Sequence, residues 1–270
     1  MNDRTRIDEW WENPGTVSLL DKNLREIETS FVCSYLSSID EFADLGCGAG
    51  ESTVHYAQRV KTCLALERSS TLRNKAKRRF EKAGLNNVTL AEGDVRDLTA
   101  YKGMFNCVVT QRVVINFMSW PEQQEILTNI WSTLRPGARY VMIENTFEGF
   151  EALNSVRRAV GLPNVVLHDW HNYFLHYDKF IEWLDGRFVI EKHQCFNLYY
   201  LLTRVFTNMF ANFEGFGAGA KKVFLSHQSK GTAPKQSTIF SRRLSRTESP
   251  FFHLCLKPRC VRAIAAFCGR

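Results

Sequence analysis

Residues Asp44-Leu45-Gly46-Cys47-Gly48-Ala49-Gly50 combine an acid with three glycines at alternate positions. Glu41 to Leu45 reads as a short buried strand, and Glu51 to Arg59 as a helix. Glycine has no Cβ, so it can take a positive φ and let a ligand touch the backbone. A strand, a glycine turn and a helix N-terminus together make a nucleotide-binding corner. The dinucleotide fingerprint would place its third glycine at position 51, which is Glu51. Asp44 would repel a pyrophosphate but could hold a cationic amino group. Glu67 lies about twenty residues beyond the turn, where a carboxylate can accept hydrogen bonds from both hydroxyls of a ribose. A second concentration of chemistry is His168-Asp169-Trp170-His171-Asn172-Tyr173-Phe174-Leu175-His176. Histidine titrates near neutrality and can take a proton from a hydroxyl, so this segment is a candidate acceptor site.

These groups need a scaffold. Lys61 to Glu67, Val88 to Leu90, Phe105 to Thr110, Arg139 to Ile143 and Arg187 to Cys195 read as further strands. Val17, Leu20, Leu24, Ile27, Phe31 and Tyr35 recur at three or four residues, which predicts a helix over 16–36. The spacing predicts other helices over 71–83 (strongly basic), 121–134 (with Pro121 in its first turn), 178–184 and 197–213. Five strands alternating with helices require a parallel, doubly wound sheet. Ligands in such sheets bind outside the carboxyl ends of the strands, where Gln111, Arg112 and Asn116 follow the fourth strand and Glu144 and Asn145 the fifth. Pro250 to Pro258 reads as a last strand, separated by a Ser-, Thr-, Gly- and basic-rich stretch over 229–249.

With its acid and alternating glycines, 44–50 resembles motif I of the class I S-adenosylmethionine-dependent methyltransferases. The resemblance implies a Rossmann-like seven-stranded α/β sheet, mostly parallel with an antiparallel last strand beside the fifth and helices on both faces. It implies S-adenosyl-L-methionine as cofactor and S-adenosyl-L-homocysteine as product. Asp44, Gly46, Cys47, Gly48, Gly50, Glu67, Arg68, Gln111 and Val95 would hold the donor, with Asp94 of Glu92-Gly93-Asp94-Val95 at the adenine amine. Leu134-Arg135-Pro136-Gly137 matches the family's turn before the fifth strand. The motif Asn/Asp-Pro-Pro-Tyr/Phe is absent, which argues against adenine-N6, cytosine-N4 and glutamine methylation. Residues 146–176, the place of the substrate-specific element, are similar to small methyltransferases of bacterial sugar, cell-surface polysaccharide and natural-product pathways. The similarity rests on Leu153-Asn154-Ser155-Val156-Arg157 and His171-Asn172-Tyr173-Phe174, with Gln111 standing where that group has a glutamate.

The expected function is methyl transfer to a hydroxyl of a small polar acceptor, a sugar or related intermediate. His171 is the expected base, and Arg112 or Arg157 would bind an acidic group of the acceptor. Asn116, Glu144, Asn145, His168, Asn172 and Tyr173 complete the expected acceptor site. Residues 1–40 form an expected helical lid, 41–258 the catalytic domain and 259–270 a tail. Residues 229–270 hold nine Lys/Arg and one acid, or +8 against a net charge of +7, so the body at 1–228 is near neutral at −1. The basic helix at 71–83 reads as a solvated outer face, and a nucleic-acid partner is not expected. The eight cysteines show no CxxC spacing, and the N-terminus shows no apolar leader pattern, which suggests the cytoplasm. No apolar run approaches a membrane span. No metal site is expected, although the histidine segment admits the thought, and the chain would be a monomer or homodimer. The alternatives are an RNA or protein methyltransferase using the basic tail, a donor-binding partner subunit without activity, and a nicotinamide oxidoreductase.

Overall fold

The structure, a computed structural model, describes residues 3–17, 19–211 and 251–258, the last of these as backbone. The expected basic loop at 229–249 and the tail at 259–270 lie outside the described residues. Five strands run parallel in the order β3 (Val88–Glu92), β2 (Thr62–Glu67), β1 (Glu41–Leu45), β4 (Phe105–Gln111) and β5 (Leu134–Asn145). β6 (Phe188–Cys195) and β7 (Phe251–Pro258) complete the sheet, with β7 antiparallel between β5 and β6. Parallel neighbours need long crossovers, and helices supply them here.

Side chains alternate across a strand. In β1, Ala43 and Leu45 face one side, with Leu66, Val108, Tyr140 and Met142. That side is covered by α5 (Trp120–Ser132) through Ile126, Leu127 and Ile130, and by α7 (Tyr177–Leu184) through Phe180 and Trp183. Phe42 faces the other side, with Cys63, Cys107, Val109 and Ile143. There α2 (Lys22–Cys33) packs Leu24, Phe31 and Val32, and Tyr56 of α3 (Thr53–Ala57) is fully buried.

The amino-terminal region departs from the expected single helix over 16–36. Asp21 caps α2 by accepting from the amide of Leu24, so the helix begins at Lys22. Val17 and Leu20, which extended the apparent stripe, are exposed. A separate helix, α1 (Asp3–Glu12), precedes it. Only Ile7 of α1 is deeply buried, which is why no apolar stripe announced it. α4 (Ser70–Lys82) is capped by Ser69 and buries Leu72, Ala76 and Phe80.

The segment after β5 begins with α6 (Phe147–Ala159) and returns to its starting point. Leu175 N donates to Asn145 O at 3.0 Å, and Phe147 N donates to Leu175 O at 3.0 Å. Residues 146–175 are thus a loop closed at its base. The expected helix over 197–213 is, in its described part, α8 (Asn197–Tyr200), a π segment (Leu201–Phe206) and α9 (Thr207–Ala211), and residues 212–213 lie outside the described residues.

Candidate active site

The carboxyl ends of β1, β2 and β4, the turn after β3, α1 and the 168–172 loop enclose a cavity of about 530 Å3. That is within the range of about 300–1,000 Å3 typical of small-ligand sites. Its floor is the glycine turn. Gly46, Gly48 and Gly50 all have positive φ, at 78°, 57° and 72°. A Cβ on Gly46 would lie 2.6 Å from Val113, and one on Gly50 2.5 Å from the Phe80 ring. A Cβ on Gly48 would meet no protein atom within 4 Å. Gly46 and Gly50 therefore serve the packing of the fold, whereas Gly48 leaves ligand space open.

The acids expected at the strand ends do lie on this cavity. Asp44 is buried and accepts from the Thr53 hydroxyl at 2.7 Å. Burial pushes its pKa up to about 7, with Thr53 opposing and Glu67 adding to the rise. Glu67 accepts from the amides of Gly48 and Ser69, each at 2.9 Å. Burial raises its pKa against those two bonds. A carboxylate has about four lone-pair sites, so Glu67 keeps room for a ligand beside its backbone partners. Asp94 is gripped by the Arg96 guanidinium, with Nε donating at 2.8 Å. An adenine amine there would share Asp94 with Arg96. Arg68 pairs with Asp8 of α1. Cys47 and Val95 line the same wall, as does Gln111, whose Nε2 is buried without a partner. An orphaned amide, an open glycine edge and paired strand-end acids suit a ligand with cationic, hydroxyl and acceptor groups.

The roof brings together residues far apart in sequence. Trp11 Nε1 donates to Asn116 Oδ1 at 3.2 Å, and Trp11 O accepts from Ser69 Oγ at 3.0 Å. Glu12 accepts from the amides of Ser70 and Thr71, fixing α1 to the start of α4. His171 is buried among Trp10, Trp11 and Trp170, with ring centroids 6.0, 5.9 and 5.3 Å away. Burial, aided by His168, lowers its pKa to about 4. Its Nε2 is buried and has no hydrogen-bond partner. His168, Asn172 and Asn145 also line the cavity, and Asn172 holds a positive φ of 64°.

Other expected site residues have different duties. Arg112, at φ 53°, donates through one nitrogen to both Glu28 oxygens, at 2.7 and 2.8 Å. Arg112 therefore lines the cavity as one half of an internal ion pair. Arg157 is buried away from the cavity, donating to Pro163 O at 2.8 Å and to Arg204 O. It ties α6 to the π segment and does not line this cavity. Glu144 accepts from Val113 N and Val114 N at 2.8 Å each, beneath the cavity wall. Burial raises its pKa to about 8. Tyr173 donates its amide to Ile115 O and packs edge-on against Phe147, so its ring also serves the loop. Among the described residues, no three His, Cys, Asp or Glu side chains converge closely enough for a metal ion.

Sequence reasoning missed Glu28, Thr53 and Arg96. Glu28 had a visible signal, since it interrupts the apolar stripe of α2 between Leu24 and Phe31.

Sheet order and the glycine turn define a Rossmann-like domain. Residues 42–137 match the methyltransferase domain family. The chain is 29% identical over 165 residues to a probable cobalt-precorrin-6B C(15)-methyltransferase (decarboxylating) of Methanothermobacter thermautotrophicus, covering 58% of this chain and 81% of that protein. It is 32% identical over 103 residues to trans-aconitate 2-methyltransferase of Deinococcus radiodurans, covering 36% of this chain and 34% of that relative. Its fold is similar to the N-methyltransferase NodS of Bradyrhizobium japonicum, solved with S-adenosylhomocysteine. The TM-score is 0.52 and the identity 16%, over 72% of this chain and 90% of that one. The stretch that is similar to a methyltransferase domain is thus the one that carries the glycine turn, Glu67, Asp94 and Gln111. No helix of the described residues is long and apolar enough to cross a membrane.

Proposed function

We propose that this enzyme methylates a hydroxyl of a small polar acceptor, a sugar or related biosynthetic intermediate, with His171 taking the proton. The carrying observation is the buried, unpartnered Nε2 of His171 at the wall of the cavity that holds the glycine turn. Asp44, Glu67, Asp94, Gln111 and the Gly48 edge would hold S-adenosylmethionine. When bound, that donor supplies an electrophilic methyl on a sulfonium whose charge vanishes on transfer, so a proton arriving on His171 leaves the net charge of the site unchanged. His171 stays neutral at physiological pH because burial disfavours its charged form, and a neutral imidazole is the state that accepts a proton. Trp10, Trp11 and Trp170 exclude water around the ring. Asn116, Asn145, His168 and Asn172 orient the acceptor, since aligned approach supplies most of the acceleration in a displacement of this kind. The helices of residues 1–40 serve as the lid, and the acceptor-side insertion covers 146–176.

The relatives carry names with quite different acceptors, so the site chemistry has to choose. The test is formation of S-adenosylhomocysteine with a panel of free sugars and glycosides, alongside calorimetry with S-adenosylhomocysteine itself. Tight product binding without methylation of any hydroxyl would overturn the acceptor assignment. Absence of binding would overturn the donor site.

A further inference from the structure

The charges of the cavity wall carry information about the acceptor. Its arginines are matched from within the chain: Arg25 to Glu51 at 2.8 Å, Arg68 to Asp8, Arg96 to Asp94 and Arg112 to Glu28. Arg4, at the rim, also interacts with the rest of the chain. Asp44, Glu67 and Glu122 line the same cavity and form no ion pair among the described residues. The balance of the wall is therefore neutral to acidic. What remains toward the acceptor is aromatic or amide, Trp10, Asn116, Asn145 and Asn172, together with the buried imidazole of His171.

The pair at Arg112 decides this. Arg112 closes the carboxyl end of β4, beside the donor-binding turn, and would attract a carboxylate or phosphate if it stood alone. Glu28 is almost fully buried, two of its oxygens lie on the guanidinium, and the partners are separated by 84 residues of chain. An incoming anion meets a compensated pair, whose field falls off faster than that of a single charge. It would also lose hydration on entering a wall that already holds surplus carboxylates.

We propose that Glu28, acting through Arg112, sets the charge class of the acceptor, making this an enzyme for uncharged, hydroxyl-bearing cyclic molecules and closing it to acidic ones. This rests on the methyl-transfer reading above and narrows it. Flat aromatic faces with amide and imidazole hydrogen-bonding groups suit the apolar face and hydroxyl rim of a neutral sugar ring. Glu28 is a positioning residue here, and specificity arises partly from what the wall repels.

The experiment compares kcat/KM for matched probes that differ in charge: methyl glucoside, methyl glucuronide and glucosamine, with trans-aconitate as an acyclic polyacid. The wild-type enzyme should favour the neutral glycoside over the uronide by at least about tenfold. Glu28→Gln, which uncovers the Arg112 charge at nearly constant volume, should move that ratio toward the uronide by about tenfold or more. Glu28→Gln with Arg112→Gln, which removes both charges, should return it to the wild-type value. A purely structural role for Glu28 would lower both rates and leave the ratio unchanged. Preference of the wild type for the uronide or trans-aconitate overturns the proposal, as does an unchanged ratio in Glu28→Gln. If Glu28→Gln does not fold, the wild-type ratio alone decides. Failure to methylate any of the probes while S-adenosylhomocysteine binds overturns the acceptor class; failure to bind S-adenosylhomocysteine overturns the underlying reading instead.

Discussion

Adding one methyl group at two places in the same turn should have opposite consequences. Gly48→Ala places a Cβ in space free of protein atoms, at a φ of 57°. Its cost to the fold is the left-handed backbone alone, about 1 kcal/mol. For a chain of this size that lowers Tm by about 2–4 °C. The Gly48 amide still donates to Glu67, so the corner keeps its shape. The methyl group instead occupies ligand space, and affinity for S-adenosylhomocysteine should fall by at least about tenfold, or about 1.4 kcal/mol. Gly50→Ala meets the Phe80 ring at 2.5 and 2.8 Å and Ala76 Cβ at 3.2 Å, at a φ of 72°. Overpacking adds about 1–3 kcal/mol to the backbone cost of about 1 kcal/mol, for about 2–4 kcal/mol in all. Gly50→Ala should therefore be mainly a stability variant and Gly48→Ala mainly a binding variant. Urea unfolding of both, with calorimetric titration of S-adenosylhomocysteine, separates the two effects. Wild-type affinity in a folded Gly48→Ala protein would refute the placement of the donor against this turn.

Replacing His171 by Ala or Gln should cut kcat/KM by about 10²–10⁴-fold while the donor still binds, as measured by initial rates beside calorimetry. Turnover near wild type would dismiss His171 as the proton acceptor. Because its folded pKa is depressed to about 4, below the free value of about 6.5, the folded state takes up this proton later than the unfolded chain. Its contribution to stability is thus present above about pH 6.5 and is lost as pH falls toward 4, a loss that His171→Gln should reduce in pH-dependent unfolding. Donor affinity should rise with pH across about 7, where Asp44 ionises to meet a cation, with proton release on binding. Thr53→Val removes the hydroxyl bond that favours the carboxylate, so it should shift that rise to higher pH and weaken binding about fivefold at pH 7. A pH-independent affinity would refute Asp44 as the cation site.

That the residues proposed for the donor would lie together was legible because their signals are local. Strand, acid and glycine turn lie within ten consecutive residues, and Glu67 and Asp94 each follow a strand of clear apolar character. Strand ends also cannot move far, since register fixes them: Asp44 pairs with Ala65 and Val109 on either side. The acceptor half was less legible because its partners are remote. His171 acquires its properties from Trp10 and Trp11, and Arg112 loses its availability to Glu28. Arg157 looked like a ligand because it sits beside the histidine segment. In the fold its guanidinium satisfies two carbonyls, one of them made accessible by the irregular π segment. Residue type suggested chemistry in each case, and only the tertiary partner decided which side chain remained free for a ligand.

The attachment of α1 has a consequence for timing. The helix is ten residues long, with one deeply buried apolar side chain, Ile7, and a helix this short is marginal alone. It is held by Glu12 on the amides of α4, by the Arg68–Asp8 pair and by the two hydrogen bonds of Trp11. These bonds can break without disturbing any strand of the sheet. The same helix covers the donor cavity and packs on His171. Under the proposed function this one element would span both ligands, so each turnover would include its opening and reclosing. The catalytic rate would then be bounded by the lifetime of the closed α1, and the exchange of spent donor for fresh would share a clock with the departure of the methylated product.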